Sequence, residues 1–575
     1  MDYRSQANLW LKHATDDPEI TQQLKSIIND ENELKECFYQ DLKFGTGGLR
    51  GIIYAGTNRM NIYTVRKATQ GLANYINARY TSPAVAIAYD SRIKSQLFSK
   101  EAARVLSANN IKVYITKELE PTPVLSYLVR NLKCSAGIMI TASHNPSKYN
   151  GYKAYGSDGC QMTDKSAGEV YNEIIKLDVF NDVKLCDYEE AKNRGMINIV
   201  ENSVYESYVQ NVLSRQVRPG ICAGSDLKVV YTPLNGAGNK LVRRVLDTIG
   251  VKNVSVVKEQ ENPDGTFPTC SYPNPEFKQA LQLGLEQLER EKADLLLATD
   301  PDSDRLGVAV RCDNSYRILT GNELGVMLLD YILKGKKENG TLPKNPIAVK
   351  TIVSTPLTQK IADEYGCELI DVLTGFKYIG EQIKLLEEKG EEDRFVFGFE
   401  ESYGFLSGTY VRDKDAVVAS MLVCELAAYY KNKNKTLSEA IDGIYSKYGY
   451  CINNTINFEF DGVSGLKTMQ RLMDDLRHNT PKKISGYEVL SVSDYLLSQK
   501  TDVLSGEKKR INLPQSNVLS FELEKENKVI VRPSGTEPKI KFYMTVTAKS
   551  HAEAKEMLNS MASAIRHDII KKYAQ

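Results

Sequence analysis

Over most of its length the chain alternates between short, mostly apolar runs and longer stretches with helical spacing. Ala84–Tyr89, Cys134–Ile140, Asp294–Ala298, Ile347–Ile352 and Arg394–Phe399 are of strand length, and such runs predict strands buried on both faces. Ile111–Ile115, Leu227–Tyr231 and Glu368–Val372 read as further strands. Between them the spacing predicts helices over Ser99–Asn109, Pro123–Arg130, Phe277–Glu289, Glu323–Leu333, Leu357–Tyr365 and Tyr378–Leu386. A Gly-rich turn at Asn235-Gly236-Ala237-Gly238 leads into another helix that runs to about Ile249. Residues 1–40 read as helical, with Leu9, Trp10, Leu24 and Ile27 as apolar contacts. The rhythm starts three times, which suggests three related α/β domains.

Near residue 455 the pattern changes. Thr455–Phe460 alternates polar and apolar residues, Val518–Leu523, Lys528–Val531 and Ile540–Thr547 follow as strands, and His551–Lys571 closes as an amphipathic helix. This predicts a last α+β domain with an antiparallel sheet. The expected division is 1–205, 206–320, 321–455 and 456–575.

Composition narrows the function classes. The 575 residues carry a net charge of +1, so no global field favours nucleic acid or a membrane, and anions must be bound at local sites. No apolar run approaches the roughly 20 residues that span a bilayer. The opening Met1–Gln6 lacks the basic and apolar parts of a signal peptide. The ten cysteines include no C-x-x-C pair, and they read as thiols of a reducing, cytoplasmic compartment.

Chemistry gathers where strands end. Thr141-Ala142-Ser143-His144-Asn145-Pro146 follows the run Cys134–Ile140, with Ser147–Gly151 reading as loop. Ligands of α/β sheets collect outside the carboxyl ends of strands, so Ser143 is a candidate nucleophile. The setting is not G-x-S-x-G, and the chain has only five histidines, so a Ser-His-Asp triad is poorly supported. His144, adjacent in sequence, is expected to point away from Ser143. An ordinary Ser/Asn/Pro turn is the competing reading.

Asp300-Pro301-Asp302-Ser303-Asp304-Arg305 follows the strand Asp294–Ala298 and sets three carboxylates at alternate positions of a loop. Such a set can converge on one hard cation, and Mg²⁺ leaves room for phosphate oxygens. An EF-hand is excluded because Leu306 stands where glycine is required and Arg311 where the bidentate glutamate belongs. A solvated acidic loop is the plain alternative. Phe44-Gly45-Thr46-Gly47-Gly48-Leu49-Arg50-Gly51 fits neither a dinucleotide fingerprint nor a Walker loop, yet its glycines and Arg50 suit an anion. Arg532-Pro533-Ser534-Gly535-Thr536-Glu537-Pro538-Lys539 offers a guanidinium and two hydroxyls, donors that match phosphate oxygens. Glu400 and Ser402, in Gly398–Gly404, suit sugar hydroxyls. Thr374-Gly375 ends the preceding strand, and Arg412-Asp413-Lys414-Asp415 opens the next helix. Together these parts describe phosphoryl transfer on a phosphosugar.

The loops T-A-S-H-N-P, D-x-D-x-D-R, G-x-E-x-S and R-P-S-G-T-E-P, in that order from Phe44 to the C-terminus, resemble those of the α-D-phosphohexomutase superfamily. The length, the N-terminal extension with Trp10 and G-F-E-E-S-Y-G resemble its long bacterial phosphoglucomutase branch. The resemblance implies three mixed-sheet α/β domains and a helix-grip-like fourth domain around a central cleft. It implies glucose 1-phosphate and glucose 6-phosphate as substrates, with Mg²⁺ as cofactor and glucose 1,6-bisphosphate as activator and intermediate. Phosphomannomutase, phosphopentomutase and glucose-1,6-bisphosphate synthase activities are the alternatives within the superfamily, and a Mg²⁺-dependent sugar phosphatase the one outside it. Ser143 would be the phosphoserine and, with Asp300, Asp302 and Asp304, a metal ligand. Glu400 and Ser402 would hold the sugar. Arg532, Ser534, Gly535 and Thr536 would grip the phosphate that is not transferred. Lys153 would serve as general acid/base, with Arg50, His144 and Lys414 nearby, Arg305 and Thr374-Gly375 lining the cleft, and a pKa for Lys153 lowered toward neutrality. Some members carry an arginine in the strand after the phosphate loop; here Lys539 or Lys541 would replace it. Small sugar phosphates are then the expected partners, with the oligomeric state left open.

Overall fold

The computed structural model describes residues 2–45, 47–312, 315–460, 462–534 and 539–573, leaving aside the side chains of 462–464 and 466. Three mixed sheets follow one another along the chain, and each is built the same way. In the first, Ala136–Ile140, Ala84–Tyr89, Lys112–Ile115 and Ile197–Ile199 are parallel neighbours. Tyr149–Gly156 runs antiparallel beside Ala136–Ile140, and Gly48–Ile52 pairs with its outer edge. In the second, Leu295–Thr299, Lys228–Thr232 and Asn253–Val256 are parallel, and Leu306–Cys312 is the antiparallel neighbour. In the third, Phe395–Glu400, Ile347–Thr351 and Glu368–Val372 are parallel, and Gly404–Leu406 is antiparallel.

This repeat locates the chemistry. In each of these sheets a buried parallel strand is joined to an antiparallel neighbour, and the three junctions carry Ser143, Asp300–Asp304 and, from the strand's last residue onward, Glu400–Ser402. Strands covered on both faces read as apolar runs, which is why the rhythm is visible in the sequence. The strand Tyr149–Gly156 corrects the expectation of a loop through Gly151. Its Lys153 and Tyr155 face inward, and polar residues at those positions hide the strand from a search for apolar runs.

The fourth sheet is antiparallel, in the order Tyr450–Glu459, Lys539–Ala548, Lys528–Pro533, Leu519–Leu523, Tyr487–Asp494, Gln499–Asp502 and Lys508–Arg510. Ile540, Phe542, Met544 and Val546 turn to one face and pack against Leu472, Met473, Leu558 and Met561 of the helices Gly462–His478 and His551–Ala564. The opposite face turns Tyr543 and Ile530 toward Ile352, Val353 and Leu373 of the third sheet's loops.

One continuous apolar core runs from Ala86 in the first sheet through the second and third sheets to Cys451. The other face of the first sheet is closed by the N-terminal helices, which the sequence predicts as a single helical region. There Trp10 is edge-on to Phe38, Tyr63 and Phe180 at 5.5–5.8 Å. Among the described residues no helix is long and apolar enough to cross a membrane.

Candidate active site

The serine loop begins as the strand Ala136–Ile140 ends. Ser143 is buried and has φ 52°, in the left-handed region that a non-glycine residue adopts only under local constraint. One constraint is Thr141, whose Oγ1 accepts the Ser143 N–H at 2.8 Å. The Ser143 hydroxyl donates to Asp300 Oδ2 at 2.9 Å, across the gap between the first and second sheets. His144 Nδ1 lies 3.1 Å from Ser143 Oγ. The imidazole therefore turns toward Ser143, contrary to the expectation that it points away, because the left-handed turn breaks the alternation of an extended chain. Burial, Arg305 and Arg50 push its pKa well down, which keeps the ring neutral. Among the described residues no carboxylate bonds to His144, so no Ser-His-Asp relay is built.

Asp300, Asp302 and Asp304 are all buried, and one carboxylate oxygen from each lies within 4.8 Å of the others. Asp300 Oδ1 accepts the N–H groups of Asp304 and Arg305 at 3.1 and 3.0 Å. Asp302 Oδ2 accepts from Lys153 at 2.8 Å and Thr122 at 2.9 Å. Asp304 Oδ2 faces Lys153 at 3.3 Å and Lys414 at 3.1 Å. Asp302 Oδ1 and Asp304 Oδ1 are left buried with no hydrogen-bond partner. Buried carboxylate oxygens without partners are costly, and two in one place fit a hard cation.

The charge states follow. Burial and the charges of Asp302 and Asp304 push the Asp300 carboxyl well above its ordinary range. Asp302 is held well below it, because Lys153 and Thr122 outweigh burial. Lys153 departs from expectation. Burial acts to lower its pKa, but Asp302 and Asp304 outweigh burial and hold the ammonium charged, above the ordinary lysine value. Lys414 is held charged in the same way by Asp304, Asp413 and Glu400. Its stem passes over Gly404, where a Cβ would stand 2.2 Å from Lys414 Cδ, so a side chain there would block the lysine.

The loops bind one another directly. Leu306 N–H donates to Tyr403 O at 3.0 Å, and Thr122 N–H to Asp302 O at 2.8 Å. Glu400 is buried at the end of its strand beside Ser402. Burial and Glu400 push the Glu401 carboxyl up to about 7, although Glu401 Oε2 accepts the Thr351 hydroxyl at 2.9 Å. Arg50 donates to Asn145 Oδ1 at 3.1 Å, which places it at the serine loop. Arg305 pairs with Glu276 while its Nε stays buried without a partner. Thr374 Oγ1 is likewise buried and unpartnered, beside Gly375, whose φ of 122° starts the helix Phe376–Glu387.

In the fourth sheet Arg532 stands opposite Lys541 on paired strands. Ser534 N–H donates to Lys539 O at 2.7 Å across the loop mouth. Gly535 and Thr536 lie outside the described residues. The two lysines differ in surroundings. The Lys539 ammonium bonds Glu459 at 2.9 Å, on a largely exposed edge. Lys541 is set deeper, where burial lowers its pKa against the pull of Glu276 and Glu401.

Thr122, Tyr155 and Glu276 carry no motif in the sequence, and Asp413 is marked there only as part of the run Arg412–Asp415. Tyr155 donates to Asp413 Oδ2 at 2.7 Å, and Asp413 pairs in turn with Lys414 at 3.1 Å. Their only sequence signal is position: Thr122 and Glu276 lie in proline-rich segments beside predicted helices, and Asp413 in the charged run before a helix.

Known families match this arrangement. The descriptions "Phosphoglucomutase/phosphomannomutase, alpha/beta/alpha domain I", "domain II" and "domain III" fit residues 41–179, 206–313 and 320–448. A phosphoglucomutase of Staphylococcus aureus is 35% identical over 556 residues, 96% of this chain and 98% of the relative. One from Staphylococcus haemolyticus is 36% identical over 523 residues, 91% and 93% of the two chains. The fold is shared with a crystal structure of a phosphomannomutase-like protein from Thermus thermophilus, at TM-score 0.68 and 20% identity over 92% of this chain and 98% of that one. It is shared also with the open form of the Paramecium phosphoglucomutase parafusin, at TM-score 0.67 and 18% identity over 92% and 96%. With three successive domains matched and near-full-length relatives above 30% identity, the chain belongs to the phosphoglucomutase/phosphomannomutase family of the α-D-phosphohexomutase superfamily.

Proposed function

We propose that the chain interconverts α-D-glucose 1-phosphate and glucose 6-phosphate, through a phosphoserine at Ser143 and a glucose 1,6-bisphosphate intermediate. The observation that carries the reading is the Ser143 hydroxyl 2.9 Å from Asp300, inside a carboxylate cluster with acceptor oxygens to spare. A hydrolase serine needs a base relay, whereas a phosphoryl acceptor needs a neighbouring site for charge on the phosphoryl oxygens, and this serine has the latter. The near-full-length Staphylococcus relatives named phosphoglucomutase support glucose phosphates as substrate.

Asp300, Asp302 and Asp304 would hold Mg²⁺, which supplies neutralisation of charge on the phosphoryl oxygens. The chain's own residues do the rest. Arg532 and Ser534, with Gly535 and Thr536, grip the phosphate that stays in place. Glu400 and Ser402 hold sugar hydroxyls, and Arg50, bonded to Asn145 of the serine loop, and Arg305, of the metal loop, supply positive charge to the phosphoryl site. Lys153 can accept the hydroxyl proton of the sugar only once Asp302 and Asp304 turn to another charge, because together they stabilise its ammonium. After the first transfer the bisphosphate turns end for end and its other phosphoryl group returns to Ser143. Closure over the ligand keeps water from the phosphoserine. Small sugar phosphates are the partners of this chemistry, and the ten free thiols suit a reducing, cytoplasmic setting.

A coupled assay of glucose 1-phosphate conversion, with and without glucose 1,6-bisphosphate, tests the reading. Ser143→Ala should abolish turnover, and its retention would sink the covalent scheme. Running mannose 1-phosphate and ribose 1-phosphate beside glucose 1-phosphate decides the sugar.

A further inference from the structure

Arg92 follows the strand Ala84–Tyr89 and has no solvent-exposed side-chain surface. Its guanidinium is spent on the serine loop. Nη1 donates to the carbonyls of Pro146 and Tyr149 at 3.0 and 3.1 Å, and Nη2 to those of Ser143 and Asn145 at 2.5 Å each. Asp90, two residues earlier, stands 3.5 Å from Arg92 Nε. Asp90 also accepts the hydroxyls of Thr141 at 2.6 Å and Ser95 at 3.0 Å. Thr141 in turn accepts the Ser143 N–H. The peptide units on both sides of Ser143 are therefore tied, directly or through Thr141, to one buried ion pair. The same pair is braced from the second domain, where Gly265 forms a bridge with Arg92 and the Phe267 ring lies 5.1 Å from the guanidinium. That segment continues to Glu276, which pairs with Arg305 of the metal loop.

A cation that donates to four neutral carbonyls is placed to shape a loop rather than to bind an anion. We infer that Arg92 is a positioning residue for phosphoryl transfer: it holds Ser143 in its left-handed conformation and so fixes the path of Oγ toward the metal loop. The inference rests on the phosphoryl-relay role of Ser143. Phosphoryl transfer depends mainly on placement, so loss of this clamp should act on the chemical step and leave sugar-phosphate binding, made by other loops, largely intact.

The test compares wild type, Arg92→Met, Arg92→Lys and Thr141→Val. Each is checked for folding by thermal melting, loaded with glucose 1,6-bisphosphate, and assayed for glucose 1-phosphate turnover and for phosphate released to water. A 1 Å misplacement costs about 100-fold in rate, so folded Arg92→Met should lose about 100-fold in kcat while KM stays within about threefold. Phosphate release should rise relative to transfer, and Arg92→Lys should recover part of kcat. A purely structural role would lower the folded fraction and leave kcat per folded molecule unchanged. The inference is overturned if folded Arg92→Met keeps wild-type kcat, or if its loss lies in KM. Should Arg92→Met fail to fold, the same ratios for Arg92→Lys and Thr141→Val decide, with losses of about tenfold expected. A wild type that converts no glucose 1-phosphate overturns the functional reading itself, and is told apart by needing no variant.

Discussion

The hydroxyl of Ser143 donates to Asp300 Oδ2 at 2.9 Å, although 157 residues separate the two along the chain. They meet because each sits on the loop between a parallel strand and its antiparallel neighbour in two sheets built alike. The contact joins the candidate nucleophile to the candidate metal site, and its consequences can be measured.

Divalent cation should bind the folded protein alone, since Asp300, Asp302 and Asp304 converge only there. Saturation with Mg²⁺ at about 100 times its Kd should stabilise the fold by about 2.7 kcal/mol, and a chelator should reverse this in a thermal melt. Asp302→Asn should remove most of the shift. A melt insensitive to both Mg²⁺ and chelator would remove the metal site.

Lys153→Met should move activity and metal affinity in opposite directions. Turnover should fall by about 10²–10⁴-fold with loss of the proton carrier. Cation affinity should rise at least about tenfold, because the ammonium that pairs with Asp302 and Asp304 is gone. Calorimetric titration of Mg²⁺ checks the second half, and unchanged or weaker binding would refute it.

The Glu401 carboxyl, raised by burial to about 7, holds a proton in the folded state that the unfolded chain releases near 4.5. Its contribution to stability is fully present below pH 4.5 and is lost as pH rises toward 7. The size is on the order of 3–4 kcal/mol, from about 1.4 kcal/mol for each pH unit. Glu401→Gln should flatten that part of the stability profile and be more stable than wild type at pH 8. Denaturation at pH 5 and pH 8 reads both, and parallel profiles for the two proteins would contradict the assignment.

The two lysines beyond the phosphate loop should separate cleanly. Lys541→Met should raise KM for sugar phosphates by about tenfold to 100-fold, the worth of a charge-assisted hydrogen bond. Lys539→Met should leave KM near wild type and cost under about 1 kcal/mol, because its ion pair with Glu459 is largely exposed. The reverse order would exchange their roles.

Much of this site is legible without coordinates. The runs Cys134–Ile140 and Asp294–Ala298 mark strands because both faces of each are covered, and the polar loops that follow are where such sheets bind ligands. What stayed hidden depended on backbone conformation and tertiary contacts that apolar periodicity does not record. Tyr149–Gly156 carries inward polar residues and so resembles a loop. His144 turns toward Ser143 only because a left-handed residue precedes it. The lowered pKa that the resemblance implies for Lys153 is not what the fold builds, because Asp302 and Asp304, about 150 residues on, hold it charged. Asp90 and Arg92 directly follow the strand Ala84–Tyr89, and nothing local to them shows that they contact the serine loop.

The sequence alone determined the order of elements, the three-fold recurrence of the α/β pattern, and the loops that carry Ser143, Asp300–Asp304, Glu400 and Arg532. Those features follow from interactions between near neighbours, whose periodicity is written residue by residue. Only the tertiary structure decided which acceptor oxygens are left over, which lysine faces the cleft, and which groups are charged. Those depend on burial and on fields between groups a few ångströms apart in space and hundreds of residues apart along the chain.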